Sequence, residues 1–93
     1  MRRELLRSSA FVRAARRMVK RNPGAADDLR ATLELLSEDA FHPRLRTHKL
    51  KGPLAGSWAC SVGYHLRVVF SLVEFEGEEA ILLQTVGTHE EVY

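Results

Sequence analysis

The chain has 93 residues, 45% of them hydrophobic and 28% charged, with a formal net charge of +2. That length predicts one domain over residues 1–93, able to fold alone with little stability to spare. No apolar run approaches the ~20 residues of a membrane span, the start Arg2-Arg3-Glu4-Leu5-Leu6-Arg7 lacks the apolar core of a secretory signal, and a single cysteine, Cys60, excludes an intramolecular disulfide and a thiolate metal site.

Residues 2–7 can form a strand at one edge of a sheet. Residues 9–21 carry Phe11, Val12, Ala15, Met18 and Val19 at spacings of three and four, the stripe of an amphipathic helix. Ser8 or Ser9 can cap its start, and Asn22-Pro23-Gly24 stops it. A second helix is predicted from about Ala25 to Ser37, with Asp27 and Asp28 in its first turn and Leu29, Leu33 and Leu36 as its buried stripe. The short loop between the helices predicts an antiparallel helical hairpin.

After Pro43 the period changes. Trp58–Val62 reads as a strand ending at a turn near Gly63-Tyr64. Leu66–Phe75 (LRVVFSLVEF) is β-branched and aromatic, hence a largely buried strand. Glu76-Gly77-Glu78 turns the chain into a third strand over 79–86. Turns this short require antiparallel pairing. Gly52-Pro53 and Gly56-Ser57 read as turns in a loop. The predicted fold is α+β: a helical hairpin packed on one face of a small twisted antiparallel sheet, in the order β-αα-βββ.

Charge is segregated along the chain. Residues 1–21 hold eight Arg or Lys against one acid, and residues 44–67 hold Arg44, Arg46, Lys49, Lys51 and Arg67 against none. Residues 68–93 hold six Glu and no Arg or Lys. Such segregation is the footprint of a polyanion binder, although over 1–21 it also suits a simple solvated helix face. Four histidines, His42, His48, His65 and His89, show no metal-ligand spacing, so no metal or other cofactor is expected. His48, His65 and His89 fall where strands begin or end, and there side chains distant in sequence can meet. Histidine is the side chain best suited to proton exchange near neutral pH. Metal-independent RNA cleavage needs a base for the 2′-hydroxyl, an acid for the leaving 5′-oxygen, and cations around the phosphorane-like transition state. Two histidines can supply the first pair; Lys49, Lys51 and Arg67 can supply the charge. Tyr93 or Tyr64 can stack on an unpaired base. Cys60 sits mid-strand among small and apolar neighbours and reads as packing. No GxSxG elbow and no phosphate-cradling glycine motif is present.

Three stretches resemble one known family. His48-Lys49-Leu50-Lys51-Gly52 through Gly56-Ser57-Trp58, the strand Leu66-Arg67-Val68-Val69-Phe70, and the ending Val86-Gly87-Thr88-His89-Glu90-Glu91-Val92-Tyr93 are similar to the matching segments of RelE/ParE-superfamily toxins, and most of all to the YafQ-like branch. The resemblance implies the toxin of a bacterial type II toxin–antitoxin pair: a cytoplasmic endoribonuclease, or mRNA interferase, that cuts mRNA on the translating ribosome. Its implied partners are an antitoxin protein, bound as a hetero-oligomer, together with mRNA and the ribosome, with no membrane involved. His89 then becomes the principal proton-transfer residue, His48 and Tyr93 belong to the active site, and His65 stands where the branch has an acid. A histidine of that branch falls on Ser61, and the strand arginine of other RelE-like toxins is absent from Ala59 and Ser61. Two alternatives share this fold: a ParE-like inhibitor of DNA gyrase, and a non-catalytic binding module. A gyrase inhibitor has no evident use for the His48, His89 and Tyr93 set.

Overall fold

The computed structural model describes residues 2–93. Its elements are β1 (Leu5–Arg7), α1 (Ser9–Arg21), α2 (Ala25–Glu38), β2 (His48–Lys49), β3 (Trp58–Val62), β4 (Leu66–Phe75), β5 (Glu78–Thr88) and α3 (His89–Val92). Short 3-10 turns lie at Pro43–Leu45 and Gly52–Leu54. Both long helices fall where the apolar spacing put them. The Ser8 hydroxyl accepts from the backbone N–H of Phe11 at 3.0 Å, which satisfies one of the free donors at the start of α1. α2 has no side-chain cap but places Asp27 and Asp28 in its first turn, where the helix dipole favours acids.

The five strands form one sheet in the order β1-β5-β4-β3-β2. The sheet is mostly antiparallel, as expected; the exception is β1, which runs parallel to β5 with Leu5 opposite Ile81 and Arg7 opposite Leu83. β1 and β5 are separated by nearly the whole chain, so no tight turn forces them antiparallel. The other pairings are antiparallel.

Phe11, Met18, Leu29, Leu33 and Leu36 of the helices pack against Cys60, Val62, Val68, Phe70, Ile81, Leu83 and Val86 of the sheet to form the core. Successive residues of a strand face opposite ways. His48, Ala59, Val69 and Thr85 therefore form one row on the face that the long helices leave open, and Ser61, Arg67 and Gly87 form the next. In β5, Leu83 and Val86 both face the core although they are three positions apart. A register shift makes this possible: Val69 pairs with Thr85 and Phe70 with Leu83, so Gln84 is an extra residue in the ladder. Its side-chain carbonyl accepts from the Ser57 hydroxyl at 2.8 Å, and its backbone carbonyl accepts from the Ser8 hydroxyl at 3.2 Å. The bulge thus decides that Gly87 reaches the open face, where the chain then turns into α3.

Cys60 is fully buried, as its neighbours implied. Burial pushes its thiol up from 9.0 to about 12, partly offset by a backbone hydrogen bond at Val68 and by the charge of Arg67. A raised value favours the protonated folded state. The contribution is complete below about pH 9 and is lost as pH rises toward about 12. Three pKa units correspond to about 4 kcal/mol. Urea titrations of Cys60→Ala across this range should therefore show a flatter alkaline limb than the parent protein; equal limbs would remove the thiol as its cause.

Candidate active site

His48 opens the two-residue strand β2, and its placement begins upstream. The 3-10 turn Pro43–Leu45 is capped by His42, whose Nδ1 accepts from the backbone N–H of Arg44 at 3.1 Å, and it is anchored by buried Leu45. Arg46 closes the turn in the left-handed region at φ 52°, a rare conformation for a side-chain-bearing residue. This reversal aims the Arg46 carbonyl at His48 Nδ1, 3.0 Å away. A carbonyl only accepts, so Nδ1 carries the proton, and in the neutral ring Nε2 is the acceptor. Nε2 meets the Tyr93 hydroxyl at 3.4 Å across 45 residues of sequence. Partial burial raises the Tyr93 pKa, with the Arg67 charge working the other way. The phenol therefore stays neutral at ordinary pH and donates to His48.

Tyr93 and His89 come from α3, one turn that forms because its ends are satisfied. The Thr88 hydroxyl accepts from the Glu91 N–H at 3.2 Å, and the Glu91 carboxylate accepts from the Thr88 N–H at 2.8 Å, a reciprocal capping box. Glu91 also accepts from Arg21 of α1 at 3.1 Å. The Thr88 N–H, and after it Arg21, hold the Glu91 carboxyl below its usual range. A depressed carboxyl tethers α3 at neutral pH and releases it only as the medium becomes acidic enough to protonate Glu91. The His89 ring meets the Tyr93 ring edge-on, with centroids 4.4 Å apart, and the His48 ring lies 6.4 Å from Tyr93. Tyr93 thus neighbours both histidines.

The remaining residues singled out from the sequence divide. Lys51 lines a depression of about 410 Å³ with Leu50, Pro53, Leu54, Val92 and Tyr93, so it borders the cluster. Arg67 stands on the open face opposite Ser61 and Gly87, and it donates through Nη1 to the carbonyls of Leu66 at 2.8 Å and Tyr64 at 3.3 Å. Lys49 pairs in register with Trp58 and lies over its ring, Nζ 5.4 Å from the centroid, on the face opposite His48. His65 sits exposed in the β3–β4 turn, its ring 6.1 Å from Tyr64, and lines a different depression with Arg21 and Glu91. The structure therefore gathers His48, His89 and Tyr93, borders them with Lys51 and Arg67, and leaves Lys49 and His65 apart. Among the described residues no cluster of three potential metal ligands occurs, and no helix is long and apolar enough to cross a membrane.

Residues 3–93 match a family model described as the bacterial toxin of a type II toxin–antitoxin system, YafQ. The chain belongs to the YafQ toxin family. Its fold is that of YafQ from E. coli, with a TM-score of 0.79 at 14% identity over 98% of each chain. A metal-bound toxin from Helicobacter pylori matches with a TM-score of 0.77 at 23% identity over 100% of each chain. The E. coli DinJ–YafQ toxin–antitoxin complex matches with a TM-score of 0.77 at 15% identity, covering 100% of this chain and 99% of the other. No curated protein sequence matches the chain. Within this family member, sequence reasoning overlooked the parts that hold the site together. Arg46 stands out in the sequence only as charge, yet its carbonyl orients His48. Thr88 and Glu91 do carry a signal, since a Thr followed three residues later by a Glu marks a helix start.

Proposed function

We propose that this YafQ-family toxin is an endoribonuclease that cuts mRNA on the translating ribosome, in the cytoplasm, by metal-independent acid–base chemistry. The observation that carries the reading is the meeting of His48 and His89 around Tyr93 beside the open sheet face. His48 Nε2, left as an acceptor by the Arg46 carbonyl, takes the proton from a ribose 2′-hydroxyl that displaces the long Tyr93 hydroxyl contact of the free protein. That oxygen attacks the adjacent phosphorus, and the bond to the 5′-oxygen breaks. His89 gives its proton to the departing 5′-oxygen. The products are a 2′,3′-cyclic phosphate and a 5′-hydroxyl, with one proton taken and one returned. Arg67 and Lys51 border the centre as cations for the charge that builds on the phosphoryl oxygens. Tyr93 holds His48 and offers a partly exposed ring to a base. Lys49 and His65 are left to contact RNA away from the reacting atoms.

An antitoxin is the second partner in this reading. The related E. coli protein is described in a complex with DinJ. An acidic, partly disordered antitoxin that folds on binding suits the basic helix α1 here.

The test is to incubate the purified protein with translating ribosomes and map the new RNA ends. Discrete cuts bearing 2′,3′-cyclic phosphates are expected. Intact mRNA would end the nuclease reading, and 3′-phosphates formed with no cyclic precursor would end the proposed chemistry.

A further inference from the structure

A second basic feature lies beside the histidine cluster; it shares Arg67 with the catalytic proposal, which leaves Arg44, Arg46 and Tyr64 unused. β2 covers β3 only at Trp58 and Ala59, so the edge of β3 over residues 60–62 is unpaired. Along that edge, α2, the Pro43–Leu45 turn and the β3–β4 turn enclose an open depression of about 670 Å³. Arg44, Arg46 and Arg67 line it together with Tyr64 and Ser61, and Asp28 is the acid in the lining. The ion pairs among the described residues engage Arg2, Arg3, Arg21 and Arg30, none of these three arginines. Arg67 uses only Nη1 on the hairpin carbonyls, so Nη2 and Nε remain as donors. Tyr64 is 92% exposed at the turn, a large ring with nothing against its outer side but His65.

The depression is continuous with the histidine cluster through two residues. Arg46 offers its carbonyl to His48 and its side chain to the depression. Arg67 lines the depression and is felt as a charge by Tyr93. We propose that this depression is a flanking-nucleotide subsite for single-stranded RNA. Arg44 and Arg46 hold a phosphate next to the scissile one, Arg67 stands between the two phosphates, and Tyr64 is the platform for an unpaired base. Guanidinium forks suit phosphate oxygens, and exposed tyrosines suit the faces of unstacked bases. The Asp28 carboxylate lies against Gly63, 3.8 Å from where a Cβ there would sit, and repels phosphate from that end. The inference rests on the ribonuclease reading, since it supplies the nucleotide adjoining the cleaved bond.

The probe is a short single-stranded RNA carrying 2′-O-methyl groups throughout, which blocks the nucleophile so that binding is read without cutting. Its dissociation constant is measured against salt for the parent and for an Arg44→Gln/Arg46→Asn variant; asparagine tolerates the left-handed backbone at position 46. Loss of this one phosphate contact should lower the log–log salt slope by about 0.7. The Arg44→Lys/Arg46→Lys pair should restore most of the slope, and Asp28→Asn should tighten binding. An unchanged slope overturns the subsite, as does a variant that binds RNA normally and loses only its antitoxin. Ribosome cleavage by the parent separates the two readings. A parent that cuts, with a double variant that binds and cuts equally well, sinks the subsite alone. A parent that never cuts sinks the nuclease reading, whatever the salt slope.

Discussion

His89→Ala should lower single-turnover cleavage of ribosome-bound mRNA by about 10²- to 10⁴-fold, the usual contribution of a positioned acid or base. The protein should meanwhile keep its fold. His89 is exposed at the first position of α3, and the interaction recorded for its ring is the edge contact with Tyr93. Removing an exposed ring there should change unfolding free energy by no more than about 0.5 kcal/mol. Antitoxin binding should survive as well, so a His89→Ala protein purifies in complex yet fails to arrest growth when expressed alone. His48→Ala should lose activity to a similar degree and for a different reason, because it also strands the Tyr93 hydroxyl. In the double variant the losses should fall well short of multiplying, since base and acid serve one transition state. A His89→Ala protein as toxic as its parent would place the chemistry elsewhere, with His65 the next residue to remove.

Much of this arrangement is legible in the sequence, and the parts that are not share a physical cause. The helices are readable because three- and four-residue apolar spacing survives any tertiary context, and Leu29, Leu33 and Leu36 are buried as that spacing demands. Strands β3 and β4 are readable by composition. β2 is not, because two residues, His48 and Lys49, form a strand only by pairing with Ala59 and Trp58. Its existence separates the two side chains at once: neighbours in a strand face opposite ways, so Lys49 cannot join His48 while both are extended. The parallel pairing of β1 has no local signature either, being a contact between the two ends of the chain. The bulge at Gln84 is equally hidden, for nothing in AILLQTVG marks which residue the ladder omits. His48, His89 and Tyr93 stand out in the sequence because their residue types suit proton transfer and base stacking and because their segments resemble those of known toxins. What brings them together is a carbonyl, a bulge and a capping box, and those carry little or no mark of chemistry.

Gly87→Val should be the most damaging single change outside the histidines. Gly87 lies on the open face opposite Arg67, and its backbone needs no left-handed conformation, so the demand for glycine is one of space. A Cβ at this position would stand 3.0 Å from Glu91 Oε1, 3.2 Å from Glu91 Cβ and 3.3 Å from Val92 Cγ1. The first of these atoms ends a flexible side chain and can move, but it is the oxygen that caps α3 and cannot move without releasing Thr88. Of the other two, Glu91 Cβ is fixed to the helix backbone and Val92 Cγ1 is a methyl of a stiff β-branched side chain. Valine therefore lifts α3 from β5, and His89 and Tyr93 leave His48 together. Displacement of about 1 Å is enough to cost about 10² in rate, while overpacking at a well-filled position costs about 1–3 kcal/mol of stability. Gly87→Ala should fall between valine and the parent, because a neighbour that gives by a few tenths of an ångström can admit one methyl. Thr88→Ala supplies the comparison: it loses the cap, at about 1 kcal/mol, without filling the space under the helix. If α3 must be seated for catalysis, cleavage should decline in the order parent, Gly87→Ala, Gly87→Val, while the long helices and the core stay folded by circular dichroism. Parent-like cleavage by a folded Gly87→Val protein would show that the reacting groups do not depend on where α3 rests.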